Sequence, residues 1–348
     1  MITAQREHGF RGSRIRRFLR KRPVLCLLVL APLVEYLTGS SRLSDIIANP
    51  PLFFIFLFQN LAFYGPGVLL IREAKIRWRK GWASVILLGM AYGVLEEGVG
   101  TGVLFNPATM NFGGTGNYSH WLGVNWINVA ILVPIVHPLF SITLPILLAD
   151  LALPETHGKS LLSNRAARLT FIVFGIDVIA TSFFVATFLA HFFAGPQLIV
   201  GCFVAIAIFV LAARRVPTDL FKAQKRIPSA KPFRFVIYGA AFPWIISIAG
   251  GILTNLAAPP VLVVLVILGI GLLMLRWVLR NIGQSENIFQ KIGLATGLVA
   301  GLIPMGILSQ IGTGIGLLTV FASDLIAVLF LRDLWQKYRR LGQRISRL

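Results

Sequence analysis

The chain has 348 residues, of which 56% are apolar, and carries 33 Lys and Arg against 13 Asp and Glu for a net charge of +20. In a soluble protein such an excess would suggest nucleic acid, but 32 of the 33 basic residues fall between long apolar runs, with only Arg42 departing from the alternation, and no aromatic-interleaved basic motif is present. Cys26 and Cys202 both lie inside apolar runs, which excludes a disulfide framework or a cysteine metal pair.

About 20 helical residues span the roughly 30 Å hydrocarbon layer, and ten runs approach that length: Pro23–Tyr36, Pro51–Ile71, Trp82–Val103, Ile131–Leu151, Thr170–Ala194, Pro196–Ala213, Phe235–Leu256, Pro259–Leu275, Ile292–Gln310 and Leu317–Leu331. Basic residues occupy the N-terminus (Arg6–Arg22), Arg72–Lys80, Lys159–Arg168, Arg214–Arg234, Arg276–Lys291 and the tail from Arg332. Every second connection, beginning with Thr38–Pro50, is nearly free of them. Because short loops rich in Lys and Arg resist translocation, this predicts both termini in the cytoplasm.

The expected fold is all-α, a polytopic transmembrane bundle of about ten spans in a cell membrane. Residues 1–22 form a basic N-terminus, 23–331 a single membrane domain and 332–348 a basic tail. The expected partner of the basic rim is a bilayer with anionic headgroups rather than nucleic acid. The first run, ending in small residues near Thr38–Ser41, resembles a signal peptide and reads as an uncleaved anchor.

An ionised side chain in hydrocarbon costs several kcal/mol, so acids within spans need an explanation. Glu96 and Glu97 lie in the third span, Asp150 at the inner end of the fourth, Asp177 in the fifth and Asp324 in the tenth, with Glu35 near the outer end of the first. No Lys or Arg lies deep in any run, so these carboxyls call for protons, a cation or histidine.

In the third span Gly89, Gly93 and Glu97 recur every four residues, and Gly100 follows Glu96 by four. The acids therefore share the small-residue side, where helices meet closely. His137 in the fourth span, flanked by Pro134 and Pro138, and His191 in the fifth fall at similar depth. Two histidines and two glutamates at one depth can act with a Glu-activated water. Alternatively, Glu97, His137 and His191 can hold a divalent metal such as zinc. His120 and Asn117 read as surface residues, His8 and His157 as incidental, and Trp121 and Trp126 as interface anchors. The Gly- and Asn-rich stretch Asn106–Gly116 reads equally as a cover for the site or as an ordinary loop.

A Glu-Glu pair on one span, a His on the next and a second His on a later one resembles the CPBP (Abi, CAAX-protease and bacteriocin-processing) family of intramembrane proteases. The resemblance covers Gly89 to Gly195 and rests on Glu96, Glu97, His137 and His191. The sequence departs from the pattern at Thr101, where the family has Arg, at Val133, where it has Phe, and at Gly195, where it has Asn. The predicted topology also turns the cluster toward the non-cytoplasmic leaflet. The resemblance implies an endopeptidase acting on a membrane-embedded or membrane-proximal peptide. One glutamate would be general base, the other would support it, and the histidines would bind a metal or stabilise the oxyanion.

Two other readings stand beside it. Val173–Ala180 and Val320–Ala327 agree at five of eight positions, including Asp177 and Asp324, as an inverted repeat in a proton- or cation-coupled transporter would require. Gly65-Pro66-Gly67 and Gly250-Gly251 would then break helices, though packing and kinks explain them as well. The third reading is a membrane protein without catalysis.

Overall fold

The computed structural model describes residues 22–38, 50–111, 114–221, 231–281, 288–312 and 315–345. The basic N-terminal stretch with His8, the connection holding Arg42, and parts of the two longest basic loops lie outside the described residues, as do 112–113 and 346–348. Among the described residues ten helical bodies follow in chain order. The first three are α1 (Pro23–Thr38), α2 (Pro50–Arg77) and α3 (Trp82–Val94), the last continued by a π-helical turn, Leu95–Gly100. The fourth is one rod of α4 (Trp126–Ile131), a π-helical stretch Leu132–Thr143, and α5 (Leu144–Ala152). Then come α6 (Asn164–Phe184, extended by a π turn Val185–Leu189), α7 (Pro196–Arg215), α8 (Pro232–Asn255), α9 (Pro260–Asn281), α10 (Ile288–Ser309) and α11 (Ile315–Ile345).

Seven of these bodies are long and apolar enough to cross a membrane, and α1 is a shorter apolar helix. The expected all-α class holds apart from two antiparallel ribbons of two-residue strands in the loop before α4. Met110–Asn111 pairs with Gly114–Thr115, and His120–Trp121 with Val124–Asn125. Helices start where their sequences allow. Five begin on proline, whose missing N–H costs nothing at that position. Ser163 caps α6 by accepting from Ala166 N at 3.2 Å, and Asn125 caps α4 by accepting from Asn128 N at 3.1 Å. Helix α2 outruns the hydrocarbon span expected of it and α11 runs on into the basic tail, because Lys and Arg propagate a helix as readily as apolar residues do.

The bodies form an inner and an outer group. The α3 and α4–α5 spans are 67% and 72% buried by the rest of the chain, whereas α7 and α9 are 11% buried and present apolar flanks. Close backbone approach ties α8 to α10. A Cβ at Gly239 would fall 2.8 Å from Leu298 N, one at Gly301 2.6 Å from Ala240 O, and one at Gly297 would collide with Val236 O. Small residues let these helices touch along their backbones. Both α2 and α8 run unbroken through Gly65-Pro66-Gly67 and Gly250-Gly251, so none of these glycines interrupts its helix; Gly65 and Gly67 serve packing, a Cβ there falling 2.7 Å from Leu28 Cδ2 and 2.5 Å from the Tyr92 ring.

At the basic end, charge is buried in a paired network. Arg72 is 1% exposed and donates to the carbonyls of Thr156 (2.8 Å) and Lys159 (3.1 Å), with Asp150 at 3.5 Å. Lys75 lies 3.8 Å from Asp150 and 3.9 Å over the Trp82 ring, and Glu73 accepts from Arg77 (3.0 Å) and Leu161 N (2.6 Å). Asp150, expected to lack a nearby cation, is therefore ion-paired, because α2 carries Arg72 and Lys75 one turn beyond its apolar run. Lys337 and Tyr338 of α11 cap the last carbonyls of α5, with Tyr338 Oη 2.8 Å from Leu151 O.

The α8–α10 contact generates a stability prediction. Gly297→Val should destabilise the protein by about 1–3 kcal/mol through overpacking. Gly251→Ala, whose added Cβ meets nothing within 4 Å, should leave the detergent-solubilised unfolding temperature unchanged.

Candidate functional site

The four-residue recurrence along α3 places Gly89, Gly93 and Glu97 on one side, and the π-helical part of the next span packs against that side. A Cβ on Gly89 would lie 2.6 Å from Pro138 Cα, and one on Gly93 3.1 Å from the His137 ring. Glycine at both positions lets the spans close until His137 reaches the acids. Both partners are locally π-helical, a geometry that concentrates at functional sites. In α3 the wide turn is closed by Thr101 N donating to Glu96 O at 2.8 Å. In the stretch Leu132–Thr143 of the fourth body, Pro138 lacks an N–H and interrupts the ordinary ladder.

The resulting cluster is a carboxylate–imidazole–carboxylate array. His137 Nε2 lies 2.9 Å from Glu97 Oε1; its Nδ1 lies 3.1 Å from Ser141 Oγ and 3.2 Å from Glu96 Oε2. Nδ1 is aligned on Ser141, which leaves Glu96 Oε2 close to the ring yet without a hydrogen-bond partner. Thr101 Oγ1 donates to Glu97 Oε2 at 2.9 Å, so Glu97 is held from both sides. Glu96 and His137 are buried, and Glu97 keeps 13% of its side chain exposed, the most accessible carboxyl of the pair.

Three further residues, not assigned to the site from sequence, surround this core. The Tyr64 and Tyr92 phenols face Glu96, and Glu35 of α1 lies within electrostatic reach of Glu96 and His137. The Tyr92 ring tilts over His137 at 5.8 Å and stacks on Phe174 at 6.2 Å, while Phe63 meets both Tyr92 (5.9 Å) and Phe174 (5.7 Å). Gly67 makes room for Tyr92, since a Cβ there would fall 2.5 Å from the ring. The signal available in the sequence was Glu35 itself, an acid in a span, and two tyrosines placed well inside apolar runs.

His191 does not join them. The chain leaves the helix after Leu189, and His191 adopts φ +48° and is exposed. Its neighbour Phe192 takes the inward place, in contact range of Gly102 and packed with Leu104 and Phe105. The apolar ring wins that position, and the imidazole turns away. The set Glu97, His137 and His191 is therefore not assembled as a metal site. Among the described residues, the groups whose ligand atoms lie within 4.8 Å of one another are Glu96, Glu97 and His137. As placed, the two carboxylates address opposite nitrogens of the ring, which suits holding and passing a proton. Binding one ion by all three would require them to draw to one side.

Asp177 and Asp324 are buried with carboxyl oxygens lacking hydrogen-bond partners, and they sit on α6 and α11, which pack mainly on other helices. His120 is not a bare surface residue; its Nε2 lies 2.9 Å from Phe105 O and ties the loop together. Trp121 and Trp126 are exposed, 66% and 40%.

Across residues 25–332 the chain matches the model of an uncharacterized membrane protein family. No curated protein and no solved structure matches it. The expected CPBP membership is overturned by this assignment to a different family, and the outward turn of His191 removes one of the four residues on which the resemblance stood.

The array should behave as one unit. Glu97→Gln and His137→Ala should be non-additive in unfolding free energy, with a coupling of about 1–3 kcal/mol in a double-mutant cycle. Strict additivity would mean that the 2.9 Å contact contributes nothing.

Proposed function

The chain belongs to that uncharacterized membrane protein family, and on this footing we propose that it is an intramembrane hydrolase of a cell membrane, acting on an amide or ester carbonyl presented within the bilayer. The reading rests on one observation, the His137 imidazole set between two membrane-buried carboxylates, 2.9 Å from Glu97 and 3.2 Å from Glu96. Both termini lie in the cytoplasm, as the distribution of Lys and Arg predicts.

The chemistry follows from the positions. Glu97, the more accessible acid, is the general base that takes a proton from water as the water oxygen bonds to the carbonyl carbon. Thr101 and His137 fix its two oxygens, so the base is oriented before substrate arrives. His137, with one nitrogen toward each acid, shares the proton within the array and returns it to the leaving nitrogen or oxygen as the carbon–heteroatom bond breaks. The Tyr92 hydroxyl has no hydrogen-bond partner and is a donor available to the carbonyl oxygen as it gains charge. Glu96 and Ser141 hold the far side of the ring.

A second reading, ion-coupled transport through Asp177 and Asp324, is favoured by their unpartnered buried oxygens. Against it stand the unbroken α2 and α8 helices and the concentration of the interacting polar groups around His137.

Purified protein in nanodiscs, incubated with a library of membrane-spanning peptides and acyl esters, separates the readings. Glu97→Gln and His137→Ala should each lower cleavage about 100-fold or more, while Asp324→Asn leaves it intact. Absence of cleavage by wild type, together with a pH-driven flux in liposomes that Asp324→Asn abolishes, would establish transport instead.

A further inference from the structure

At the basic end of the bundle an open cavity of about 690 Å³ lies between the end of α2 and the first turns of α6, lined by Arg77, Asn164, Ala167, Arg168, Phe171 and Ile172. The α6 residues in this lining are spaced as one face of the helix, at positions 164, 167, 168, 171 and 172. Along that face the chemistry changes from polar to apolar within about 6 Å, four residues at 1.5 Å each. Asn164 and Arg168 form the polar end; Phe171 and Ile172, 67% and 56% exposed, form the apolar end.

Both guanidinium groups converge on Asn164. Arg77 Nη1 donates to Asn164 Oδ1 at 2.6 Å, and Arg168 Nε donates to Asn164 O at 3.4 Å. Their charge is not balanced locally. Behind the cavity, ion pairs among the described residues join three cations, Arg72, Lys75 and Arg77, to two anions, Glu73 and Asp150, one more positive than negative group in that set. Arg168 adds a second, with no carboxylate within ion-pair distance among the described residues. Among the described residues the terminal nitrogens of Arg168 have no acceptor, although those of Arg77 are bonded to Asn164, Ser160 and Leu162.

From this arrangement we infer that the cavity is a binding site for an anionic phospholipid of the leaflet that faces the basic loops. The phosphate sits against Arg168 and the outer edge of Arg77, and one acyl chain lies along Phe171 and Ile172. Charge complementarity selects the head, and the exposed apolar pair one turn further along selects a ligand with a hydrocarbon tail. A soluble anion satisfies the first condition and not the second. Basic pockets beside transmembrane helices recognise lipid headgroups in this way, with each Arg contributing to the attraction. The inference is independent of the hydrolase reading, because none of its residues belongs to the array around His137.

The test uses full-length protein, delipidated in non-ionic detergent and returned to phosphatidylcholine nanodiscs with or without phosphatidylglycerol. Native mass spectrometry counts retained lipid, and thermal unfolding reports its effect. Wild type should retain phosphatidylglycerol over phosphatidylcholine and unfold at a higher temperature when it is present. Arg168→Ala should reduce that retention about five-fold, and Arg168→Lys should largely preserve it. Phe171→Ser, which leaves the charge untouched, should also reduce retention and serves if Arg168→Ala folds poorly. Undiminished retention by Arg168→Ala or by Phe171→Ser would overturn the site. So would stabilisation by inorganic phosphate equal to that by phosphatidylglycerol, since it would show an anion site indifferent to lipid.

Discussion

The close contact between α3 and the π-helical part of the following span determines what this protein can do. Two glycines, Gly89 and Gly93, remove the side chains that would hold the helices apart, and Glu97 continues the same stripe one turn later. The missing methyls matter because a Cβ at Gly89 would lie 2.6 Å from a backbone atom, Pro138 Cα, and backbone cannot rotate away as a flexible side chain can. A separation larger by the thickness of a methyl group would take the His137–Glu97 distance of 2.9 Å out of hydrogen-bonding range. The site is thus a consequence of packing, and packing of this tightness between membrane helices depends on small residues.

The molecule buries charge in two places by two different rules. At the basic end, guanidinium and ammonium groups are offset in part by Glu73 and Asp150 and donate to carbonyls of the loop after α5, so the network fastens that loop to α2. In the interior no Lys or Arg is among the partners of Glu96 or Glu97; their neighbours are an imidazole, a threonine and two phenols. Arg holds its charge under all ordinary conditions, whereas imidazole gains and loses a proton near neutrality. The first arrangement is therefore fixed in charge and structural. The second is built from groups that exchange protons, which is the physical basis for assigning it chemistry.

Much of this was legible in the sequence, and the parts that were not have identifiable causes. Ten helical bodies among the described residues coincide with the ten apolar runs, but seven of them rather than ten are long and apolar enough to cross a membrane. The Gly89–Gly93–Glu97 stripe predicted the helix contact, since four-residue spacing survives any tertiary arrangement of a straight helix. His191 departs from expectation because its depth was reckoned on a helix regular up to Ala194. The helix in fact ends after Leu189, and one residue at positive φ reverses which side chain faces inward. Asp150 was misread because α2 carries its cations beyond the apolar run. The CPBP resemblance rested on acid and imidazole groups alone, the residue types that any interior polar cluster of a membrane protein would contain.

Glu35, Tyr64 and Tyr92 escaped the sequence reading for a more general reason, and they complete the physical picture of the site. A tyrosine in an apolar run looks like core, and a lone acid near a span end looks like a headgroup contact; only the assembled bundle shows that they face the same point. Their presence draws four segments, α1, α2, α3 and the π-helical stretch before α5, into one polar interior walled by Phe63 and Phe174. The wall lowers the local dielectric, so each contact of the array is stronger than it would be in water and each misplacement costs more. In the hydrolysis proposed above, a carbonyl would bring its electron-poor carbon to the side of Glu97 and its oxygen toward the phenol hydroxyls, the orientation that attack by a base-activated water requires.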